Sequence, residues 1–585
     1  MSRPRLRHLK GFRIPLFETL RTYQRAWLRR DLIAGLTVCV VMIPSVIAYA
    51  ELVHLPPIAG LYAAFAGALG YALFASSRHV IAGPDAAIGL LAGMAILPLS
   101  GGDLARTVVL AIELSLLSGL VLLIGARLNL GAIADLLSRP VLIGYLNGAS
   151  LVLVSTQLGK LVGIKLEGED FFLLIHALLS DLGRVHLPTL VFGGALIGLL
   201  VFMGRYFPRV PGALAASAVA IAVAWVADVG AWGVALVGPV PSGVPMPTWP
   251  AMVLADITAL APAAVAIAFL TFSDGILLSQ TFADKHRYDI DPNQELVALG
   301  VSNVCAGVFQ GFPVSASQSR SAIVDAAGGK TQVAQLVAAG GLLLFLVFFS
   351  GLIALLPKVA LGAILVVTAL GMLEVASLRK LYRIDRRDFW LSLGVTASIL
   401  VAGVVPGIIL GMLLSLIGVL VEISRPQDAV LRRVAGDGKF HDMGQQSTEG
   451  ETVPGLLVYR LYAPLIFANA RHVVWRLREL ADTADPPLKW LVIDAQAITE
   501  IDLTAAERLA ALIDELAQAG IAIKIADAPR PFREEMNRVG LTDQLGQQQF
   551  YVSVKTAVEA YQQQFPTAMA EPVQPSQRRS GIAPP

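Results

Sequence analysis

Apolar stretches dominate the chain between positions 32 and 424, and most are as long as a helix that crosses a bilayer. Spans of this kind fall near 32–50, 58–76, 106–125, 140–158, 188–204, 212–230, 256–280, 332–350, 355–377, 389–404 and 407–424. Shorter or broken pieces lie between them at 81–98, 130–138, 295–309 and 311–327. Counting pairs of short pieces as spans gives about fourteen crossings. From 453 the period changes. Residues 456–461 and 490–494 read as short strands, 468–482 as an amphipathic helix, 504–519 as another helix, 521–525 as a strand and 530–538 as a helix. Such alternation predicts a compact α/β domain with neighbouring parallel strands. The polar residues 426–452 read as a linker, and the Pro/Gln/Ser/Arg-rich 563–585 as a disordered tail.

Composition sharpens this picture. The chain is 55% hydrophobic and 15% charged, where a soluble domain carries about 25% charged residues. Residues 1–30 hold nine Lys or Arg against one acid, Glu18, so this basic segment is expected to stay on the cytoplasmic side. Basic loops at Arg78, Arg127, Arg205/Arg209, Lys285/Arg287 and 379–387 can all face the same side. An even number of spans then returns the C-terminus to the cytoplasm. A net charge of +2 gives no reason to expect a nucleic-acid partner. Cys39 and Cys305 both fall in apolar segments, which argues against a disulfide framework or a metal cluster. Gly328-Gly329-Lys330-Thr331 ends like a phosphate loop but lacks the upstream glycine and a preceding soluble strand, so ATP-driven pumping is not expected.

The segment 311–331 stands apart. It carries Arg320, four serines and a Gly311-Phe312-Pro313 break inside a lipid-like sequence. Irregular backbone and charge at membrane depth must lie within protein or line a cavity. A helix beginning near Ser317 would point free N–H groups into that cavity, and Arg320 in its first turn would oppose the dipole and need an anion. Residues 83–89, opening on Gly83-Pro84, form a similar break in the first half of the chain. Each break follows, by about forty residues, a long span with a polar interruption: Pro44-Ser45 in one half, Ser273-Asp274-Gly275 in the other. Two interrupted segments at matching places are the mark of an inverted-repeat transporter.

At these residues the chain resembles a known family. Asp31-Leu32-Ile33-Ala34-Gly35, Ile43-Pro44, Ala48-Tyr49-Ala50, Leu55-Pro56-Pro57, Ser76-Ser77-Arg78-His79 and Gly83-Pro84 resemble the first three spans of the SulP anion transporters. Asn293-Gln294-Glu295-Leu296, Gly311-x-Pro313, Ser319-Arg320-Ser321 and Gly328-Gly329-Lys330-Thr331 resemble the ninth and tenth, and 453–562 resembles the STAS domain that follows. The resemblance implies a polytopic α-helical membrane protein, a seven-plus-seven inverted repeat split into core and gate domains, followed by a cytoplasmic α/β STAS domain. A homodimer in a bacterial inner membrane is the expected setting. The transport domain is expected over 31–425. An anion would lie between the short helices of the third and tenth spans, lined by Asp85, Ala86 and Ala87 on one side and Ser317, Gln318 and Ser319 on the other. Arg320 would supply positive charge, with Ser45 and Tyr49 from the first span. Asp274 matches an acid linked to proton or sodium coupling. Two positions depart from the family: Ser45 stands where many members have Gln, and Asp85 where many have an uncharged residue.

Each of these has a plainer reading. Asp274 could pair structurally with Arg320, since a charge at membrane depth needs a partner. Asp85 could cap the third-span helix. The serines could serve close helix packing. Glu113 and Glu374 read as structural. In the STAS region Asp502 or Thr504 could be a helix cap, or the site where related domains are phosphorylated and meet a partner protein.

The functional expectation is a secondary active transporter of a small oxyanion. Sulfate comes first, with H+ as coupling ion and no other cofactor; bicarbonate or a C4-dicarboxylate with Na+ is the alternative. An anion channel and a membrane-anchored signalling scaffold are the competing classes. No nucleophile–base pair is apparent, so an enzyme is not expected.

Overall fold

A computed structural model describes residues 14–131, 138–166, 171–207, 211–238, 243–433, 440–442 and 452–566. The chain divides into two compact units, Met1–Ser415 and Leu416–Pro585. The helices begin with α1 (Pro15–Arg21), α2 (Arg25–Leu52) and α3 (Pro57–Phe74), then the strand β1 (Ile81–Gly83) and α4 (Ala86–Ser100). Next come α5 (Leu104–Arg127), α6 (Arg139–Val162), α7 (Phe171–Ser180), α8 (Leu187–Tyr206) and α9 (Gly212–Ala227). The second half holds α10 (Leu254–His286), α11 (Pro292–Val308), β2 (Ser315–Ser317), α12 (Gln318–Ala326) and α13 (Val333–Phe348). It closes with α14 (Lys358–Met372), α15 (Val375–Ile384), α16 (Arg386–Ala402) and α17 (Val404–Ser424).

Among the described residues eight helical stretches are long and apolar enough to cross a membrane. With the shorter pieces the fold has 14 spans in two inverted sets. The first set is α2–α6, α8 and α9; the second is α10–α14, α16 and α17. Two groups of helices can be told apart within the unit, joined where α2 packs on α9 and α14. In one, α3 and α5 hold α11, and α2 and α3 hold α13. In the other, α6 holds α14 and α16, while α8 lies against α9 and α14. Small residues make the first group tight. A Cβ added to Gly60 would sit 1.9 Å from the Val46 carbonyl oxygen, and one on Gly93 would sit 2.0 Å from that of Leu52. Only glycine permits such backbone approach.

Two buried carboxylates explain sequence motifs that looked chemical. Asp31 accepts hydrogen bonds from the Lys330 N–H (2.5 Å) and from the Thr331 N–H and hydroxyl (3.2 and 2.7 Å). Gly328 makes this possible by turning at φ +81° after α12. The Gly-Gly-Lys-Thr run therefore cradles a carboxylate of the chain itself. Glu295 does the same for the turn after α3, accepting from Tyr71 Oη (2.7 Å) and from the Ser76 and Ser77 N–H groups (2.8 and 2.7 Å).

The basic stretch expected as a loop at 379–387 is largely helical, as α15 and the start of α16. The apolar piece expected at 130–138 falls mostly outside the described residues, as do the N-terminal half of the basic segment and most of the expected tail.

The C-terminal unit contains β3 (Asp428–Arg433), β4 (Phe440–His441), β5 (Leu456–Leu461), α18 (Ala470–Asp482) and β6 (Trp490–Asp494). It continues with α19 (Leu503–Gln518), β7 (Ala522–Ala526), α20 (Arg530–Arg538), α21 (Leu541–Leu545), β8 (Phe550–Tyr551) and α22 (Val554–Gln564). The sheet order is β4-β3-β5-β6-β7-β8. Strands β5 to β8 run parallel, and β3 joins β5 antiparallel. Strand β3 lies inside the stretch expected as linker. Its alternating side chains, Ala429 and Leu431 buried, make it an integral strand of this sheet, between β4 and β5.

Candidate anion site

The two sequence breaks meet. Strand β1 pairs antiparallel with β2 in the register Ile81↔Ser317, Ala82↔Ala316 and Gly83↔Ser315. Each strand leads directly into a short helix, α4 after β1 and α12 after β2, so both helix N-termini open beside this ladder. Gly83-Pro84 and Gly311-x-Pro313 interrupt helix at these places and leave the chain extended.

Polar side chains from neighbouring spans satisfy the exposed backbone. Gln335 of α13 accepts from the Ala82 N–H (3.3 Å) and donates to the carbonyls of Ala82 and Ala68 (3.2 and 3.3 Å). Asn303 of α11 clamps Val314 from both sides, at 2.9 and 3.0 Å. Ser321 Oγ donates to the Ser317 carbonyl (2.6 Å) and accepts from the Ile81 N–H (2.9 Å). Ser321 was read in the sequence as a packing or binding serine and Asn303 only as part of a family motif, while Gln335 was not singled out. A lone Gln in an apolar span is the signal that would have found it, since such a group must bond to something.

Arg320 lies in the first turn of α12 and is 4% exposed. Its Nε and Nη2 have no hydrogen-bond partner, and among the described residues it makes no ion pair. A Cβ on Gly83 would sit 3.5 Å from Arg320 Nη2, so the guanidinium lies against β1. A buried, unpaired cation at the positive end of a helix is doubly unfavourable until an anion arrives. Ser317 precedes α12 without capping it. Its hydroxyl is instead 3.4 Å from that of Ser319. Gln318 and Ser319 are exposed, facing open space at the helix start.

On the opposite helix Asp85 Oδ1 accepts from the Ala87 N–H at 3.0 Å. The capping reading of Asp85 therefore holds, and its other oxygen stays available. Ala86 and Ala87 are buried. Tyr49 of α2 packs on α4, its carbonyl oxygen 3.5 Å from a Cβ added to Gly89. Ser45 Oγ donates to the Val41 carbonyl at 3.3 Å and is half-buried.

Asp274 is half-buried on α10, which packs on β2 and α4. Gly275 beside it approaches Ala316 of β2, at 3.6 Å from an added Cβ. The alternative structural pair between Asp274 and Arg320 is not formed among the described residues. Asp274 interacts electrostatically with Asp85 instead, while Arg320 interacts with Asp85 and Tyr49. Arg320 instead turns toward Gly83 of β1. In the second unit Asp502 caps α19 through the Ala505 N–H (2.8 Å), and Thr504 is exposed in its first turn.

Residues 28–395 match the sulfate permease family, and 447–557 match the STAS domain. The chain belongs to the sulfate permease family. A probable sulfate transporter of Mycobacterium tuberculosis is 40% identical over 541 residues, covering 92% of this chain and 96% of the relative. Among solved structures, the murine anion transporter Slc26a9 matches with TM-score 0.87 at 21% identity, over 96% of each chain. The transmembrane domain of the cyanobacterial bicarbonate transporter BicA matches with TM-score 0.58 at 21% identity, over 67% of this chain and 97% of that one. This permease-family chain is accordingly a multi-pass integral membrane protein, an anion transporter rather than an enzyme.

Proposed function

We propose that the chain moves a small divalent oxyanion, sulfate first, together with protons, by alternating access around the site between α4 and α12. The observation that carries this reading is the buried guanidinium of Arg320. Its two unpartnered N–H groups stand at an uncapped helix start and match the oxygens of a tetrahedral anion. Coupling rests on Asp85 and Asp274. A carboxylate at Asp85 repels an anion held by the same helix pair, and protonation removes that repulsion, so proton and anion bind with positive linkage. Asp274 acts through Asp85: two neighbouring carboxylates disfavour ionising together, and a proton on either lowers the charge against the anion. The protein works as a homodimer in a bacterial inner membrane with both termini in the cytoplasm, and Thr504 or its neighbours regulate it through a cytoplasmic partner.

A second reading draws on Asp85 as well. The carboxylate oxygen not used in capping can accept a hydrogen bond from bicarbonate, which carries an O–H that sulfate lacks. In that case Na+ drives uptake and Asp274 is its ligand. Uptake into proteoliposomes separates the two. Concentrative sulfate entry driven by an inward proton gradient supports the first, and Na+-dependent bicarbonate entry indifferent to pH replaces it with the second. Flux of any anion without concentration would indicate a channel.

A further inference from the structure

A second polar cluster lies away from the anion site, where the turn after α3, the last turn of α10 and the end of α12 come together. His79, His286 and Asp325 each offer a ligand atom, and these atoms lie within 4.8 Å of one another. The two imidazoles stack, with ring centroids 4.1 Å apart and 12° between planes. His286 Nε2 is 2.6 Å from Asp325 Oδ1, and Lys285 Nζ holds the other oxygen, Oδ2, at 2.5 Å.

The decisive atom is His79 Nε2. His79 is 3% exposed, and this nitrogen is buried with no hydrogen-bond partner. The other ring nitrogen is oriented. Tyr288 Oη accepts from the Arg78 N–H at 3.3 Å, is 3.2 Å from Ser77 Oγ, and lies 3.4 Å from His79 Nδ1. In the tautomer with its proton on Nδ1, pointing to Tyr288, His79 turns a lone pair outward on Nε2. An imidazole oriented by an outer hydrogen bond, with its other nitrogen turned on an unfilled contact, is what a metal-ligating histidine requires.

The geometry points to a transition-metal site, a Zn2+ held by His79, His286 and Asp325 with one position open. Two imidazoles and one carboxylate oxygen suit Zn2+ and disfavour Mg2+ or Ca2+, which take oxygen ligands. Bonds of about 2.0–2.1 Å to a tetrahedral ion place ligand atoms about 3.3 Å apart. The cluster therefore contracts by up to about 1.5 Å, and the part-exposed His286 ring turns out of its stack with His79, since a metal lies in the plane of each imidazole that binds it. The His286 proton moves from Nε2 to Nδ1 through solvent, and Lys285 stays on Oδ2 as the outer partner that orients the carboxylate. Binding would tie the end of α12, five residues beyond Arg320, to α10 and to the turn after α3.

Untagged full-length protein in detergent, stripped with chelator, is titrated with Zn2+ against a chromophoric chelator. One Zn2+ per chain is expected, unaffected by millimolar Mg2+, with Co2+ giving the visible absorption of a four-coordinate site. His286→Gln and Asp325→Asn should each weaken binding at least tenfold and abolish the rise in Tm that Zn2+ gives the wild type. These two lie at part-exposed positions and keep the test valid if buried His79→Gln does not fold. Wild type that binds no more Zn2+ than the His286→Gln variant overturns the site, as does undiminished binding in both variants.

Discussion

Replacing Arg320 with alanine separates binding from folding unusually cleanly, because the guanidinium has so little to lose within the protein. Its Nε and Nη2 bond to nothing, and among the described residues it makes no ion pair, so truncation breaks no contact of those atoms and removes only its longer-range attraction to Asp85 and Tyr49. Removing an uncompensated buried cation leaves stability unchanged or higher. The anion, in contrast, loses two charge-assisted hydrogen bonds worth about 1.5–3 kcal/mol each. A loss of about 3–6 kcal/mol raises Kd by roughly 10²- to 10⁴-fold. Isothermal titration of detergent-purified Arg320→Ala with sulfate, beside its thermal unfolding, reads both quantities. Arg320→Lys should recover only part of the affinity, since a point charge cannot reproduce the two fixed donors. An affinity within threefold of wild type in well-folded Arg320→Ala would refute the assignment, and an unfolded variant would show that Arg320 has a structural partner not in this arrangement.

Three further outcomes follow from the same geometry. Sulfate affinity should rise as pH falls in wild type, and Asp85→Asn should flatten that dependence; titrations at several pH values check the sign, and a persistent slope would move the titrating group to Asp274. Gly83→Ala adds a Cβ only 3.1 Å from the flexible Met42 terminus and 3.5 Å from Arg320 Nη2, so it should bind nearly normally. Gly83→Val pushes branched carbons into the guanidinium and, with overpacking of about 1–3 kcal/mol, should cost about tenfold in affinity by the same titration. A chain ended after Arg425, ahead of β3, should keep anion binding measurable by calorimetry; complete loss in a stably folded truncation would mean that the STAS domain completes the site.

Much of this was legible in the residues. The start of α12 at Gln318, the break before α4, and α20 at 530–538 follow from proline, glycine and helical period alone. The pairing of β1 with β2 was not, because three-residue strands carry no period that could announce a partner more than two hundred positions away. The missing Asp274–Arg320 pair has a similar cause: sequence places both at membrane depth but cannot say which way a long side chain turns. Strand β3 was concealed in a polar stretch, since its buried positions alternate only over Ala429 and Leu431. Asp31 and Glu295 read as ordinary motif residues until their carboxylates were seen holding backbone N–H groups across the fold.

The most direct test of the site is crystallographic. Crystals grown with selenate, a sulfate analogue with a strong anomalous signal, should show one peak between the starts of α4 and α12, with oxygens within hydrogen-bond distance of Arg320 Nε and Nη2. A selenate peak elsewhere in the transport domain, with those two nitrogens still unliganded, would contradict the account.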